Sequence, residues 1–411
     1  AFWEALGVPD PAGFAVKSAE EGGADDAVSG ALGPPKLYRL SDAGGALETT
    51  EVEERPLQRS MLQTEDVFVL VAGGAVSAWV GKGASKEEKS GAMGVALKFV
   101  ESQGLPAATP VRIVKEGAEP SLFKQQFAQW SKPAVPAPKP SGDDPATPTR
   151  RKSTDAASLV RSLKEASADD ELLDDGSGEL AVWRVESFEL APWPEDKHGQ
   201  FYAGDSFVVK YTYMPKGKNK PETMIYFWQG DRSSQDERGA SALLAKRLDD
   251  EMGGSATQCR VVQGKEPAHF SGVFKGRMIV HTGGTAGGFK NAGERDTVDT
   301  DGTYLYHVRG QSAQATKAVQ VEEDAGALNS GDCFVLVAGA ASYVWQGKFS
   351  SPDERSFAAS CAAELSKQYG AGEPATVKEG EEPDAFWEAL GGKKEYAQYA
   401  EGAPPAEAPR L

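Results

Sequence analysis

One plan occurs three times in this chain, and any fold it adopts must accommodate that plan three times. The fullest copy runs from Gly204 to Gly254. It opens with Ala203-Gly204-Asp205-Ser206-Phe207-Val208-Val209 and continues through Ile225-Tyr226-Phe227-Trp228-Gln229-Gly230 and Ser234-Gln235-Asp236-Glu237. It closes with an amphipathic helix ending Leu248-Asp249-Asp250-Glu251-Met252-Gly253-Gly254. The strand-leading Asp and the Trp lie 13 residues apart in the first and third copies (66 to 79, 332 to 345) and 23 apart in the second (205 to 228). From Trp to the helix-opening Glu the spacing is 9 in all three (79 to 88, 228 to 237, 345 to 354). The ten extra residues fall around Met214-Pro215-Lys216-Gly217-Lys218-Asn219-Lys220-Pro221, which reads as a hairpin tip, where insertions leave both flanks in register.

The core strand of the first copy, Asp66-Val67-Phe68-Val69-Leu70-Val71, is apolar on both faces and so reads as central in a sheet. A helix follows through Ala92, Val95, Ala96 and Phe99 at i, i+3, i+4, i+7 spacing. A second phrase, Glu-Pro-x-x-Phe, closes each copy, at Glu119-Pro120, Glu266-Pro267 and Glu382-Pro383. The third closure continues Phe386-Trp387-Glu388-Ala389-Leu390-Gly391, and residues 1–7 repeat that ending, so the chain is expected to begin at the close of a further unit. Pro409-Arg410-Leu411 resembles Pro35-Lys36-Leu37, as if another unit were starting. Residues 132–178, studded with Pro133, Pro136, Pro138, Pro140, Pro145 and Pro148, read as a flexible tether that cannot bury enough apolar surface to fold alone.

Composition narrows the function classes. A length of 411 residues allows about two to four domains. Formal net charge is −17, which disfavours nucleic acid and suits divalent cations or a partner with basic patches. No apolar run approaches the roughly 18 residues of a membrane span, and Ala1-Phe2-Trp3-Glu4 lacks the basic start of a signal peptide. Cys259, Cys333 and Cys361 are odd in number and unevenly spaced, which argues for a reducing compartment. No CxxC, HExxH, Walker loop or catalytic triad order is present, so a binding module is expected rather than an enzyme.

The paired acids carry two readings. If the long helix packs on the central strand, the Asp and Glu of each copy converge, and calcium takes six to eight oxygens from carboxylates and carbonyls. Asp205, a bidentate Glu237 and the Gly204 carbonyl would supply part of such a set. Equally, Ser85-x-x-Glu88, Ser234-x-x-Glu237 and Ser351-x-x-Glu354 are capping boxes, in which the Glu reaches back to the N-cap amide. A cap explains the Glu but not the Asp at fixed distance. Ala240, Leu243, Leu244 and Leu248 of the second long helix read as core-facing, while Asp249, Asp250 and Glu251 oppose the macrodipole at its end.

These residues resemble the gelsolin/villin/severin family of actin-binding proteins. The marks are Trp183-Arg184-Val185-Glu186, Gly199-Gln200-Phe201-Tyr202-Ala203-Gly204-Asp205-Ser206, Ser233-Ser234-Gln235-Asp236-Glu237, Val261-Val262-Gln263-Gly264-Lys265-Glu266-Pro267 and Phe386-Trp387-Glu388-Ala389-Leu390-Gly391-Gly392. The resemblance implies an α/β (α+β) chain of repeated gelsolin-like domains, each a five- or six-stranded mixed sheet between one long and one short helix. Domains are expected at 34–131, 179–290 and 291–396, with a preceding tail plus linker at 1–33, the tether at 132–178 and a further linker at 397–411. It implies calcium sites at Gly204, Asp205, Glu237 and the Thr285 carbonyl, at Gly331, Asp332 and Glu354, and at Glu65, Asp66 and Glu88. A further calcium shared with actin maps onto Asp249 with the carbonyls of Gly254 and Ala256, with Asp249, Asp250 and Glu251 facing actin. The implied activity is calcium-regulated binding of actin monomer and filament, with capping or severing, in the cytoplasm at the cytoskeleton and with 179–290 as the main grip. Two alternatives stand beside it. One is a villin-like bundling or anchoring scaffold with structural calcium. The other is a phosphoinositide-responsive regulator using Lys216, Lys218 and Lys220.

Overall fold

The computed structural model describes residues 34–41, 48–128, 130, 174, 176–216, 218–284, 302–310, 313 and 315–396, without the side chains of Ser41, Glu48 and residues 86–90. The expectations for 1–33, for 397–411 and for nearly all of 132–178 lie outside these residues.

Each copy of the repeat builds the same five-stranded sheet. In the first, β1 (Lys36–Ser41), β2 (Glu48–Val52), β3 (Val67–Ala72), β4 (Ala75–Val80) and β5 (Val111–Lys115) lie in the order β2-β1-β3-β4-β5. In the second, β6 (Glu179–Glu186), β7 (Glu189–Pro192), β9 (Ser206–Tyr213), β10 (Glu222–Gln229) and β11 (Thr257–Val262) follow the order β7-β6-β9-β10-β11. In the third, β13 (Thr303–Arg309), β14 (Lys317–Val321), β15 (Cys333–Ala338), β16 (Ala341–Gln346) and β17 (Ala375–Lys378) follow β14-β13-β15-β16-β17. Only the last pair of each set is parallel, because a long helix carries the chain back between those strands. These helices are α1 (Lys86–Ser102), α3 (Gln235–Glu251) and α5 (Pro352–Tyr369). A short helix follows each fifth strand: α2 (Ser121–Lys124), α4 (Ala268–Gly272) and α6 (Asp384–Ala389). The chain is thus a repeated mixed α/β fold, as expected.

The central strands are buried on both faces, and alternation sorts their side chains between the two helices. Val67 and Val69 pack with Ala92, Ala96 and Phe99 of α1, whereas Phe68 and Leu70 pack with Phe123 of α2. Cys333, Val335 and Val337 likewise face α5, and Phe334 and Leu336 face α6. The second copy keeps the same parity relative to its Asp: Val208, three residues on, faces α3, while Phe207, Val209 and Tyr211, at even offsets, face α4. Its ten-residue insertion lengthens β9 and β10 to eight residues each, and Lys216, Lys218 and Lys220 stand exposed at their tip.

The closing phrase has a structural reason. Trp79, Trp228 and Trp345 are each wholly buried. Their indole N–H groups donate to Glu119 (3.1 Å), Glu266 (2.9 Å) and Glu382 (2.9 Å). The amides of Gly117, Gly264 and Gly380 donate to the same carboxylates. A buried Trp must satisfy its N–H, and the Glu-Pro turn brings in the acceptor.

Sheets also join between copies. Edge strand β5 pairs antiparallel with edge strand β11, giving one ten-stranded sheet. Strands β8 (Gln200–Tyr202) and β12 (Ile279–His281) add to β14, so the third sheet has seven strands.

Candidate functional site

The Asp that leads each central strand sits in a turn clamped from the strand beside it. Gly81, Gly230 and Gly347, two residues after each Trp, donate their N–H to the carbonyls of Asp66 (3.1 Å), Asp205 (3.1 Å) and Asp332 (3.0 Å). The carbonyls of Thr64, Ala203 and Ser330 accept from Gly83 (2.7 Å), Arg232 (2.9 Å) and Phe349 (2.8 Å). The carbonyl between each clamped pair belongs to Glu65, Gly204 or Gly331, the residues expected to offer a backbone oxygen. Only glycine fits at the clamp: a Cβ on Gly230 would lie 2.1 Å from the Ala203 oxygen and 2.9 Å from the Asp205 oxygen. A Cβ on Gly81 would lie 2.1 Å from the Thr64 oxygen, and one on Gly347 would lie 2.6 Å from the Ser330 oxygen. Gly230→Ala is expected to lower stability by about 1–3 kcal/mol and to blunt any calcium response of the Asp205 turn. A urea melt with and without calcium checks this, and parent-like behaviour in both would contradict the clamp.

The same glycine ties the turn to the start of the long helix. Ser233 Oγ donates to the Gly230 carbonyl (2.7 Å), and Arg238 Nε donates to Ser233 Oγ (3.0 Å). Ser350, Gly347 and Arg355 repeat this arrangement in the third copy (2.8 Å, 2.9 Å). The helix then opens with the capping box read from the sequence. Ser234 N–H donates to Glu237 Oε2 (2.9 Å) and Glu237 N–H to Ser234 Oγ (3.2 Å), with Ser351 and Glu354 doing the same at 2.8 and 3.2 Å. The cap and the metal readings therefore share one side chain. The cap fixes the carboxylate, and bidentate ligation would need Oε2 to be shared with the Ser234 amide.

Asp205 and Glu237 are almost wholly buried, at 1 % and 0 % exposure. In the third copy the two acids sense one another: burial, and then the Asp332 charge, push the Glu354 carboxyl up to about 7. Asp332 is held below the usual carboxylate range; burial works against this, but His307 and Asn329 outweigh it. A buried pair of acids beside a clamped carbonyl is an all-oxygen donor set, which fits a hard divalent cation rather than zinc or copper. Among the described residues no three His, Cys, Asp or Glu side chains converge, so each set would be completed by carbonyls and water. Thr285 and the Glu88 side chain lie outside the described residues.

Sequence reasoning missed the basic side chain that already faces each Asp. Arg39 contacts Asp66 (3.1 Å), Arg184 approaches Asp205 (3.6 Å), and His307 Nε2 lies 2.6 Å from Asp332. All three come from the first strand of their copy, in register with the residue two beyond the Asp: Arg39 with Phe68, Arg184 with Phe207, His307 with Phe334. A bound divalent ion would share its carboxylate with this group.

At the end of α3, Asp249 is wholly buried. Its Oδ1 accepts from Ala256 N–H (3.0 Å), and its Oδ2 from Gln258 Nε2 (2.7 Å) and Lys115 Nζ (2.5 Å). Lys115 Nζ also donates to the Gly254 carbonyl (3.0 Å). Asp250 and Glu251 are exposed and pair along the helix with Lys246 (2.6 Å) and Arg247 (3.8 Å). Ala240 and Leu244 enter the core and Leu248 is half-buried, but Leu243 is 68 % exposed. Positions 240, 244 and 248 form one inward stripe at four-residue spacing, and 243 falls on its flank.

The gelsolin repeat family model matches residues 48–124, 187–271 and 314–387. Advillin of Mus musculus is 40 % identical over 364 residues, covering 88 % of this chain and 43 % of advillin. Cytoplasmic gelsolin of Homarus americanus is 39 % identical over 382 residues, covering 90 % of this chain and 50 % of that protein. The chain thus spans about half the length of the curated relatives it matches. A solved complex of a Thorarchaeota 2DGel3 protein with rabbit actin aligns with 52 % of this chain and 99 % of its own at 24 % identity, with a TM-score of 0.21.

Proposed function

The chain belongs to the gelsolin-repeat family, and from that membership and the site geometry we propose that it is a calcium-regulated binding protein for actin monomer and filament, which caps or severs filaments. It is proposed to work in the cytoplasm at the cytoskeleton, as a binding module rather than an enzyme. The domains proposed are 34–131, 179–290 and 291–396, with 132–178 as the tether between the first and second. Among the described residues no helix is long and apolar enough to cross a membrane.

Calcium would be held by Asp205, Glu237 and the Gly204 carbonyl, by Asp332, Glu354 and the Gly331 carbonyl, and by Asp66 with the Glu65 carbonyl. Thr285 and Glu88 would complement the first and last of these sets. The ion would supply charge neutralisation between a central strand and the head of its long helix. The observation that carries this reading is the threefold clamp, which repeats the same carbonyl and carboxylate beside the same helix start.

The actin grip is proposed on the outer face of α3. Its exposed stripe runs through Asp236, Gly239, Leu243, Lys246, Arg247, Asp250 and Glu251, so one large apolar side chain stands amid charges. An apolar side chain ringed by groups that exclude water once a partner is seated has the layout of a binding hot spot. Leu243→Ser is expected to weaken actin binding by roughly 10-fold or more, an anchor of that kind contributing about 2 kcal/mol, while leaving the melting temperature unchanged because the side chain is exposed. Filament pelleting and severing assays with and without calcium test the proposed function as a whole. Pelleting and crosslinking without any calcium dependence would favour the bundling reading instead.

A further inference from the structure

Lys115 belongs to the first copy of the repeat, yet its ammonium rests on the second. It is 2.5 Å from Asp249 Oδ2 and 3.0 Å from the Gly254 carbonyl. Those two oxygens are ones through which the second copy would hold a cation shared with a partner. We propose that Lys115 is an internal competitor for that cation. The ammonium and a divalent ion exclude one another, and the ion's arrival breaks the seam between the first and second copies. The inference rests on the calcium reading above for the identity of the competing ion.

Three observations support it independently. First, the position is a cation site by construction. The end of α3 turns the Gly254 carbonyl toward Lys115 beside a buried acid, and positive-φ Gly253 (78°) and Gly254 (71°) shape that turn. A wholly buried carboxylate without a cation would be costly. Second, the site is peculiar to the second copy. Counting 12 residues from the helix-opening Glu gives Asp249 in α3 but Val100 in α1 and Ser366 in α5. Only α3 therefore creates the demand that Lys115 meets.

Third, the lysine is delivered by a short strand seam. Strand β5 pairs with β11 over three residues, Val111 with Arg260, Arg112 with Cys259 and Ile113 with Gln258. Extending that register by two brings Lys115 to Ala256, whose amide also holds Asp249. Around it stand Arg260 donating to the Ala107 carbonyl (3.0 Å) and Ser121 donating through N and Oγ to Glu222 (2.9 and 2.8 Å). A cavity of about 420 Å³ opens beside the lysine, lined by Lys82, Glu116, Gly253 and Ser255 among others. It gives a hydrated ion a route to the site without prior unfolding. Displacing the ammonium would leave Lys115 beside a dication, and their repulsion acts on the strand that carries it.

The test uses the full chain, the Lys115→Met variant, which keeps the aliphatic stem, and the double variant Lys115→Met with Asp249→Asn. Calcium binding is read by calorimetry. Hydrogen exchange of peptides covering 111–115 and 254–260 reads the seam. The expected result is that Lys115→Met tightens one class of calcium site at least tenfold and that the double variant loses this gain. In the parent, saturating calcium should speed exchange in both peptides. If the parent binds calcium but Lys115→Met binds it no more tightly and the seam peptides exchange at the same rate with and without calcium, the competitor is overturned and the calcium reading stands. If neither the parent nor Lys115→Met binds calcium, both fall. Thermal melts of the variants confirm that they are folded when these comparisons are made.

Discussion

Replacing Glu266 by alanine lowers the stability of the chain by about 3–5 kcal/mol, the largest loss expected from any single substitution considered. The Glu266 side chain is wholly buried and carries three donors at once: Trp228 Nε1 (2.9 Å), Gly264 N–H (3.1 Å) and Lys317 Nζ (2.8 Å). Lys317 is 6 % exposed, so removing its partner leaves an uncompensated ammonium inside the protein. The indole and amide are left without their acceptor as well, and an orphaned buried donor costs about 1–3 kcal/mol. The same substitution at Glu382, where Trp345 and Gly380 are the donors, should cost less.

The pH dependence has a definite sign. Burial alone would raise the Glu266 carboxyl, but Lys317 and the Trp228 indole outweigh it and hold the group below its ordinary value. A depressed acid contributes stability that is complete above the unfolded value, about 4.5, and is lost as pH falls through the folded one. Urea melts between neutral pH and about 3 should therefore show the parent and Glu266→Ala curves converging as acid is added. A constant gap across that range would contradict the account.

Asp205→Asn should remove most of the calcium-induced stabilisation of the second copy while leaving the calcium-free melt close to the parent. A ligand that binds only the native state contributes RT ln(1 + [L]/Kd), roughly 2.7 kcal/mol at a hundredfold excess over Kd. The Asn keeps the shape of the side chain and removes the charge that Arg184 and the ion would share. Arg184 keeps a second partner in Glu186, with which it also pairs, so the variant does not strand a buried guanidinium. Scanning calorimetry in calcium and in chelator measures both halves of the expectation. A parent whose melt ignores calcium would sink the calcium reading rather than the fold.

Much of this architecture was legible because its determinants are local. The run Val67-Phe68-Val69-Leu70 announces a strand covered on both faces, and Ser234-x-x-Glu237 and Ser351-x-x-Glu354 announce helix starts within four residues. The closing Glu-Pro phrase was visible as a repeat, but its partner was not, because Glu266 meets Trp228 from 38 positions away. The clamping glycines were readable in principle: Gly81, Gly230 and Gly347 each follow a Trp by two residues, and that constant spacing was the available signal.

The basic partners Arg39, Arg184 and His307 needed strand register to find. Nothing nearby in sequence points at Lys115, 134 residues from Asp249, since their meeting depends on two edge strands pairing between copies. Leu243 was read as core from its residue type, whereas burial is decided by its angle on α3. Thr285 and nearly all of the tether at 132–178 were read from the sequence and lie outside the described residues.

The most direct test of the central proposal is a titration of fluorescently labelled actin monomer with the full chain, in calcium and in chelator. The account predicts saturable binding in calcium at least tenfold tighter than in chelator, with Leu243→Ser shifting the calcium curve to weaker affinity. Absence of binding in calcium, or the same affinity with and without it, would contradict a calcium-regulated actin-binding protein.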